Sequence, residues 1–114
     1  MNESILETMR AMLGPSVVNA YTAFDKELIV HINTVLMVLS QAGIGTKGFL
    51  ITGDQETWSD FLQSSNDLEA VKTYVYLRVR MLFDPPSSSF VLDSMQKTAD
   101  EMLWRLNVLV DPEA

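Results

Sequence analysis

Apolar residues recur at three- and four-residue spacing along most of this chain, the interval that stacks side chains on one face of a helix with a period of about 3.6 residues. Ile5, Leu6, Met9, Met12 and Leu13 form the first set, opened by Ser4 and Glu7 at capping-box spacing and stopped by Gly14 and Pro15. Phe24, Leu28, Ile32, Val35 and Leu39 form a second stripe, with Thr22 or Asp25 as its expected N-cap and Gly43 just past its end. The periodicity then lapses. GIGTKGFLITGDQET, residues 43–57, spreads four glycines around a central FLIT and predicts a glycine-rich loop or short hairpin. Thr57 caps a brief helix carrying Trp58, Phe61 and Leu62, and Ser64 to Asp67 breaks the chain again.

The next stripe, Leu68, Val71, Val75 and Leu82, ends where the chain meets FDPPSSS. Proline disfavours helical geometry in the residue before it, so Phe83, Asp84, Pro85 and Pro86 read as a structural turn. The serines after it supply N-caps for a last helix patterned by Leu92, Met95, Ala99, Met102, Leu103, Leu106 and Leu109. The expected fold is therefore all-α, a small helical bundle of three main helices and two short ones. Its 114 residues, 1–114, suit one domain with one modest core.

Composition narrows the function classes. The absence of cysteine excludes disulfides, thiolate metal sites and cysteine nucleophiles, and fits a reducing compartment. A formal charge of −7 opposes binding to phosphate backbones or anionic membranes. The longest apolar run, Leu28 to Leu39, is interrupted by His31, Asn33 and Thr34 and is shorter than the ~20 residues a bilayer span needs. No basic, apolar signal peptide opens the chain.

Candidate chemistry is sparse. His31 is the single histidine, so a histidine-paired nucleophile could be built only around it, with Glu27 the one carboxylate among its neighbours at helical spacing; no second histidine or cysteine exists to complete a zinc ligand set, and a partly buried histidine is the expected role. Asp93, Asp100 and Glu101 scatter around the last helix and read as a solvated face. GIGTKG satisfies GxGxxG, but a phosphate-cradling loop follows a strand, and here a long helix comes first. No catalytic, cofactor or metal residue is assigned.

Surplus apolar surface is the stronger signal. Val30 and Met37 interrupt the line made by Lys26, Asn33, Ser40 and Gln41, and Trp104 and Val108 interrupt that of Ser94, Lys97 and Glu101. Two helices doing this point to surfaces covered by another chain, a homo-oligomer being the simplest; the bland alternative is that loops wrap them. Arg78 falls on the apolar stripe of its helix and must find an acid or reach solvent, with Asp84, Asp25 and Glu101 as candidate acids. An intersubunit role is the rival reading for Arg78 and Arg80. Tyr74, Tyr76 and Phe83 beside them offer amphipathic surface that suits an interface or a core equally.

YTAFDKELIVHINTVLMVLSQAGIG at 21–45, WSDFL at 58–62 and LEAVKTYVYLRVRMLFDPPSSS from 68 resemble, in that order, the small head-tail connector proteins of tailed bacteriophages. The resemblance spans about residues 21–107. It implies an all-helical, non-enzymatic virion protein without cofactors, assembled in the host bacterial cytoplasm. Such proteins form a ring, typically a dodecamer, between the portal and the tail or a second connector, completing the DNA-filled head and extending the DNA channel. Under that reading, Val30, Met37, Tyr76, Arg78, Arg80, Trp104 and Val108 are candidate oligomer or partner contacts. Gly43, Gly45, Gly48, Phe49 and Gly53 form an adaptable loop. DNA passes the acidic ring without specific binding, and no membrane is involved. The competing class is an acidic helical regulator that binds one partner protein through an apolar groove.

Overall fold

The computed structural model describes residues 2–62 and 66–110, so the expected break at Ser64 and Ser65 lies outside the described residues. Six helices follow one another among the described residues: α1 (Ile5–Leu13), α2 (Pro15–Val18), α3 (Asp25–Gln41), α4 (Trp58–Phe61), α5 (Leu68–Phe83) and α6 (Ser89–Val110). The all-α expectation holds, and no strand is present among the described residues. The bundle contains one helix more than the pattern predicts. Gly14 does end α1, but Pro15 starts the single turn α2 instead of excluding helix, because a proline at the first helical position sacrifices no hydrogen bond.

The caps divide into hits and corrections. Ser4 Oγ accepts from the Glu7 amide at 3.2 Å, whereas the Glu7 carboxylate turns to Arg10 instead of closing a capping box. Thr57 and Asp60 do form one on α4. Neither Thr22 nor Asp25 caps α3: Asp25 is already helical, and Phe24 occupies the cap position without a side-chain bond. Arg10 organises that approach instead, donating to the Tyr21 carbonyl. Ser88 begins α6 as the serine run predicts, its Oγ accepting from the Val91 amide at 3.3 Å.

α5 is the central helix, packing against α1, α3 and α6. Leu28, Ile32, Val35, Leu36 and Leu39 of α3 meet Val71, Tyr74, Val75 and Val79 of α5, with Ile5, Leu6, Met9, Trp58 and Phe61 closing one end. Full burial of each such side chain stabilises by roughly 1.5–3 kcal/mol. Leu82 is a correction to the expected stripe: it is exposed, and Val79 holds the core position. α6 is bound more thinly, with Ala99 and Leu106 as its fully buried side chains among those described. It is pinned near its end by Asn107, whose amide donates at 2.8 Å to the Ala42 carbonyl just past α3.

The segment between α3 and α4 is a loop and not a hairpin, but it is a moored loop. Asn33 on α3 accepts from the Ile51 amide at 2.8 Å and donates to the Ile51 carbonyl at 3.0 Å, so one side chain replaces a strand partner. Thr46 donates through both its amide and its hydroxyl to the Phe61 carbonyl, at 2.9 and 3.1 Å. The returning chain then pairs with the start of α1, Ile5 donating to the Glu56 carbonyl and Trp58 to that of Glu3, both at 3.1 Å. Lys72, a buried cation on α5, reaches Glu3 at 2.7 Å. That hydrogen bond holds the exposed Glu3 carboxyl below its ordinary value.

Candidate functional site

α3 turns Leu28, Ile32, Val35 and Leu39 inward, so the residues half a turn away must face out. That outer ridge carries Lys26, Val30, Thr34, Met37 and Gln41, with Val30 63% and Met37 50% exposed. Asn33 and Ser40, expected on the same polar line, lie apart from it: Asn33 is spent on the loop and Ser40 is buried. A hollow of about 380 Å³ lies on each side of the ridge. The first is floored by Met37, Ser40, Gly48, Phe49 and Leu50 where the loop folds back against α3. The second opens between α3, α5 and α6 and is lined by Val35, Val38, Tyr74, Arg78, Leu82 and Leu92.

Arg78 stands at the rim of the second hollow, and none of its three expected acids holds it. Its Nη2 donates to Asp100 Oδ1 at 2.6 Å and its Nε to the Tyr74 hydroxyl at 3.1 Å, with the guanidinium 5.3 Å from the Tyr74 ring centroid. Asp25 lies by Arg10, Asp84 by Arg80 and Glu101 by Arg105. Asp100 is exposed as the sequence predicts but also holds Arg78, because which α6 residue reaches an α5 side chain depends on how the two helices cross. Burial pushes the Arg78 pKa down, but its bonds to Tyr74 and Asp100 outweigh this, so the ion pair stays formed. Arg78 keeps 23% and Asp100 62% of its side chain exposed, which places the pair in the weak class of ion pairs. Arg78→Ala is accordingly expected to cost about 1 kcal/mol in urea unfolding and not the several that a buried, orphaned pair would. A loss above about 3 kcal/mol would show that the pair is effectively desolvated.

Tyr76 and Arg80 are used within the chain. Arg80 donates through Nη1 to the Tyr76 hydroxyl at 3.1 Å and through Nε to the Asp84 carbonyl at 2.8 Å, which ties the Phe83–Pro86 turn to the end of α5. Phe83 packs edge-on against Phe24 at 5.3 Å. Tyr74 is core, with no exposed surface. On α6, Trp104 is 66% exposed and Val108 is also open, as expected from their polar line. Phe90, 79% exposed, belongs to the same stripe and was missed, although its eighteen-residue offset from Val108 is five helical turns and was countable.

The loop candidates separate by geometry. Gly43, Gly45 and Gly48 have φ of +88°, +81° and +76°, a region that favours glycine. Phe49 leans on the buried Phe61 ring at 5.4 Å, while Leu50 beside it is exposed and extends the apolar surface from Met37. His31 Nε2 lies 3.6 Å from Glu27 Oε1. No group of three or more histidines or acids able to hold a metal occurs among the described residues. No described helix is long and apolar enough to cross a membrane.

The described residues thus form an all-helical fold with an exposed apolar ridge on α3 between two hollows. The chain belongs to the phage connector protein family, which matches residues 5–113, and is thus a structural head-tail connector of a bacteriophage virion that works among other head and tail proteins. No curated protein and no solved structure matches it.

Proposed function

We propose that residues 1–114 act as one connector domain whose copies close into a ring, dodecameric in the virion, between the portal and the tail or a second connector. The ring completes the DNA-filled head, extends its channel and performs no catalysis. Assembly takes place in the host cytoplasm, and the finished ring stands at the head-tail junction. The observation that carries this reading, beside family membership, is the α3 ridge, where Val30 and Met37 stand open among polar residues on the outer face of a helix whose inner face is buried. Large apolar side chains grouped on one exposed face are characteristic of surfaces that another chain covers. A head-to-tail contact repeated around an axis closes when its rotation divides a full turn. A formal charge of −7 lets DNA phosphates slide past and not stick. The loop tip around Gly48 and Leu50 is exposed, which supports its use in meeting the portal or the next component.

Native mass spectrometry across a wide concentration range tests the ring, and capture by portal-bearing, DNA-filled heads tests its place. The expected result is a closed oligomer of about a dozen subunits, as the cyclic contact requires. Val30→Glu with Met37→Glu is expected to leave helicity and melting temperature nearly unchanged while abolishing both the oligomer and head joining. Loss of helicity would place those residues in the core. A wild-type chain that neither self-associates nor joins heads would favour the acidic regulator, with the α3–α5–α6 hollow as its groove.

A further inference from the structure

The loop between α3 and α4, expected from its glycines to adapt, is fastened on both sides of its exposed part. Ile44 and Ile51 are buried, and between them Lys47, Gly48 and Leu50 stand open. On the entering side, the Ile44 amide donates to the Leu39 carbonyl at 2.9 Å, and Thr46 reaches the Phe61 carbonyl through both its amide and its hydroxyl. On the returning side, Asn33 engages both backbone groups of Ile51. Glu56 Oε2 then accepts from the Thr52 amide at 2.9 Å and from the Thr52 hydroxyl at 2.8 Å.

These ties decide which way Leu50 points. Burial alternates along the segment: Phe49 is half-buried against Phe61 and Ile51 is buried, while Leu50 and Thr52 are exposed. Successive side chains on extended backbone point to opposite sides, so seating Phe49 and Ile51 inward turns Leu50 outward. A slip of one residue would bring Leu50 or Thr52 to Asn33 and reverse that alternation. Both side-chain bonds of Asn33 go to Ile51, so the residue serves the loop and not the packing of α3 on α5. A segment already held in its bound shape avoids the ordering cost that a free loop pays when it meets a partner.

On the connector reading above, we infer that Asn33 is a positioning residue: it holds the loop in one register with Leu50 projecting, so that the loop meets the portal or the next component already formed instead of folding onto it.

Asn33→Ala tests this, with amide hydrogen exchange and the joining of heads to tails as readouts. The amides of Thr46 and Thr52 report the loop, since their own acceptors are the Phe61 carbonyl and the Glu56 carboxylate and survive the substitution. Both are expected to be protected in the wild type and to lose most of that protection in the variant, while the α5 amides keep theirs. Joining of DNA-filled heads to free tails, titrated with the protein, is expected to need about tenfold more of the variant, the factor for a loop that holds its binding shape a tenth of the time. Leu50→Glu is expected to impair joining with loop protection intact. Asn33→Asp, which loses the donor to the Ile51 carbonyl, takes the place of Asn33→Ala if circular dichroism shows that variant unfolded. Unprotected loop amides in the wild type overturn the inference, as does unchanged loop protection or unchanged joining in the Asn33 variant, or unchanged joining by Leu50→Glu. A wild-type protein that joins no heads to tails overturns the connector reading beneath it instead.

Discussion

Gly45→Ala is expected to destabilise the protein by about 3 kcal/mol, the sum of a left-handed backbone cost of ~1–2 kcal/mol and an overpacking cost of ~1–3 kcal/mol. Gly45 has φ +81°, and a Cβ there would sit 2.3 Å from Cζ of Phe61 and within 2.6 Å of both neighbouring ring carbons. The ring cannot swing aside, because Phe61 has no exposed surface and Phe49 leans on it. Gly48→Ala is the control: φ is +76°, but nothing lies within 4 Å of the added carbon, so about 1 kcal/mol is expected. Urea unfolding followed by circular dichroism separates the two. Equal losses would mean that the loop shifts to relieve the overlap, and that the contact between Gly45 and Phe61 is not rigid.

Trp58→Ala is expected to cost still more, ~3–5 kcal/mol, which is a large part of the ~5–15 kcal/mol that holds a domain of this size folded. Trp58 is fully buried, and its indole Nε1 donates at 3.1 Å to Thr8 Oγ1, which in turn donates at 2.7 Å to the Ser4 carbonyl. The residue therefore joins α4 to the first turn of α1 by packing and by hydrogen bonding together. Trp58→Phe keeps most of the volume and loses the bond, so about half the cost is expected. A loss below about 1 kcal/mol for Trp58→Ala would show that α4 and the α1 start are not part of the cooperative unit.

Both predictions concern contacts that the sequence signals only in part. Thr57, Trp58, Phe61 and Leu62 are recognisable as a capped apolar turn, and Gly45 as a turn glycine. That Phe61 fills the space under Gly45 depends on how a moored loop closes over sixteen residues. The mooring itself uses Asn33, which reads as an ordinary polar residue on a helix surface. Its amide offers a donor and an acceptor, and only a chain lying at the correct depth beside α3 can engage both. Lys72 is similar: i, i+3 spacing suggests Glu69, yet the closer acid is Glu3 at 2.7 Å, brought alongside by packing of α1 on α5.

The candidate surface was legible where a local period sufficed. Val30, Met37, Trp104 and Val108 are exposed because a regular helix turned to bury its main stripe has no choice about its opposite face. Phe90 could have been added by the same count. Leu50 could not, since its exposure beside Met37 depends on the fold of the loop.

By itself, then, the sequence determined five of the helices, the caps at Ser4, Thr57 and the serine run, the proline turn, most of the inward stripes and the acidic, cysteine-free character. These follow from steric preferences and periodicities that act within a few residues. The extra turn at Pro15 is local too and follows from the tolerance of proline at a first helical position. The tertiary structure decided the partner of Arg78, the role of Asn33, the exposure of Leu82 and the thin docking of α6. These depend on the crossing of elements distant in the chain, where a rotation of one helix by a single residue position exchanges the side chain that meets its neighbour for one that meets water.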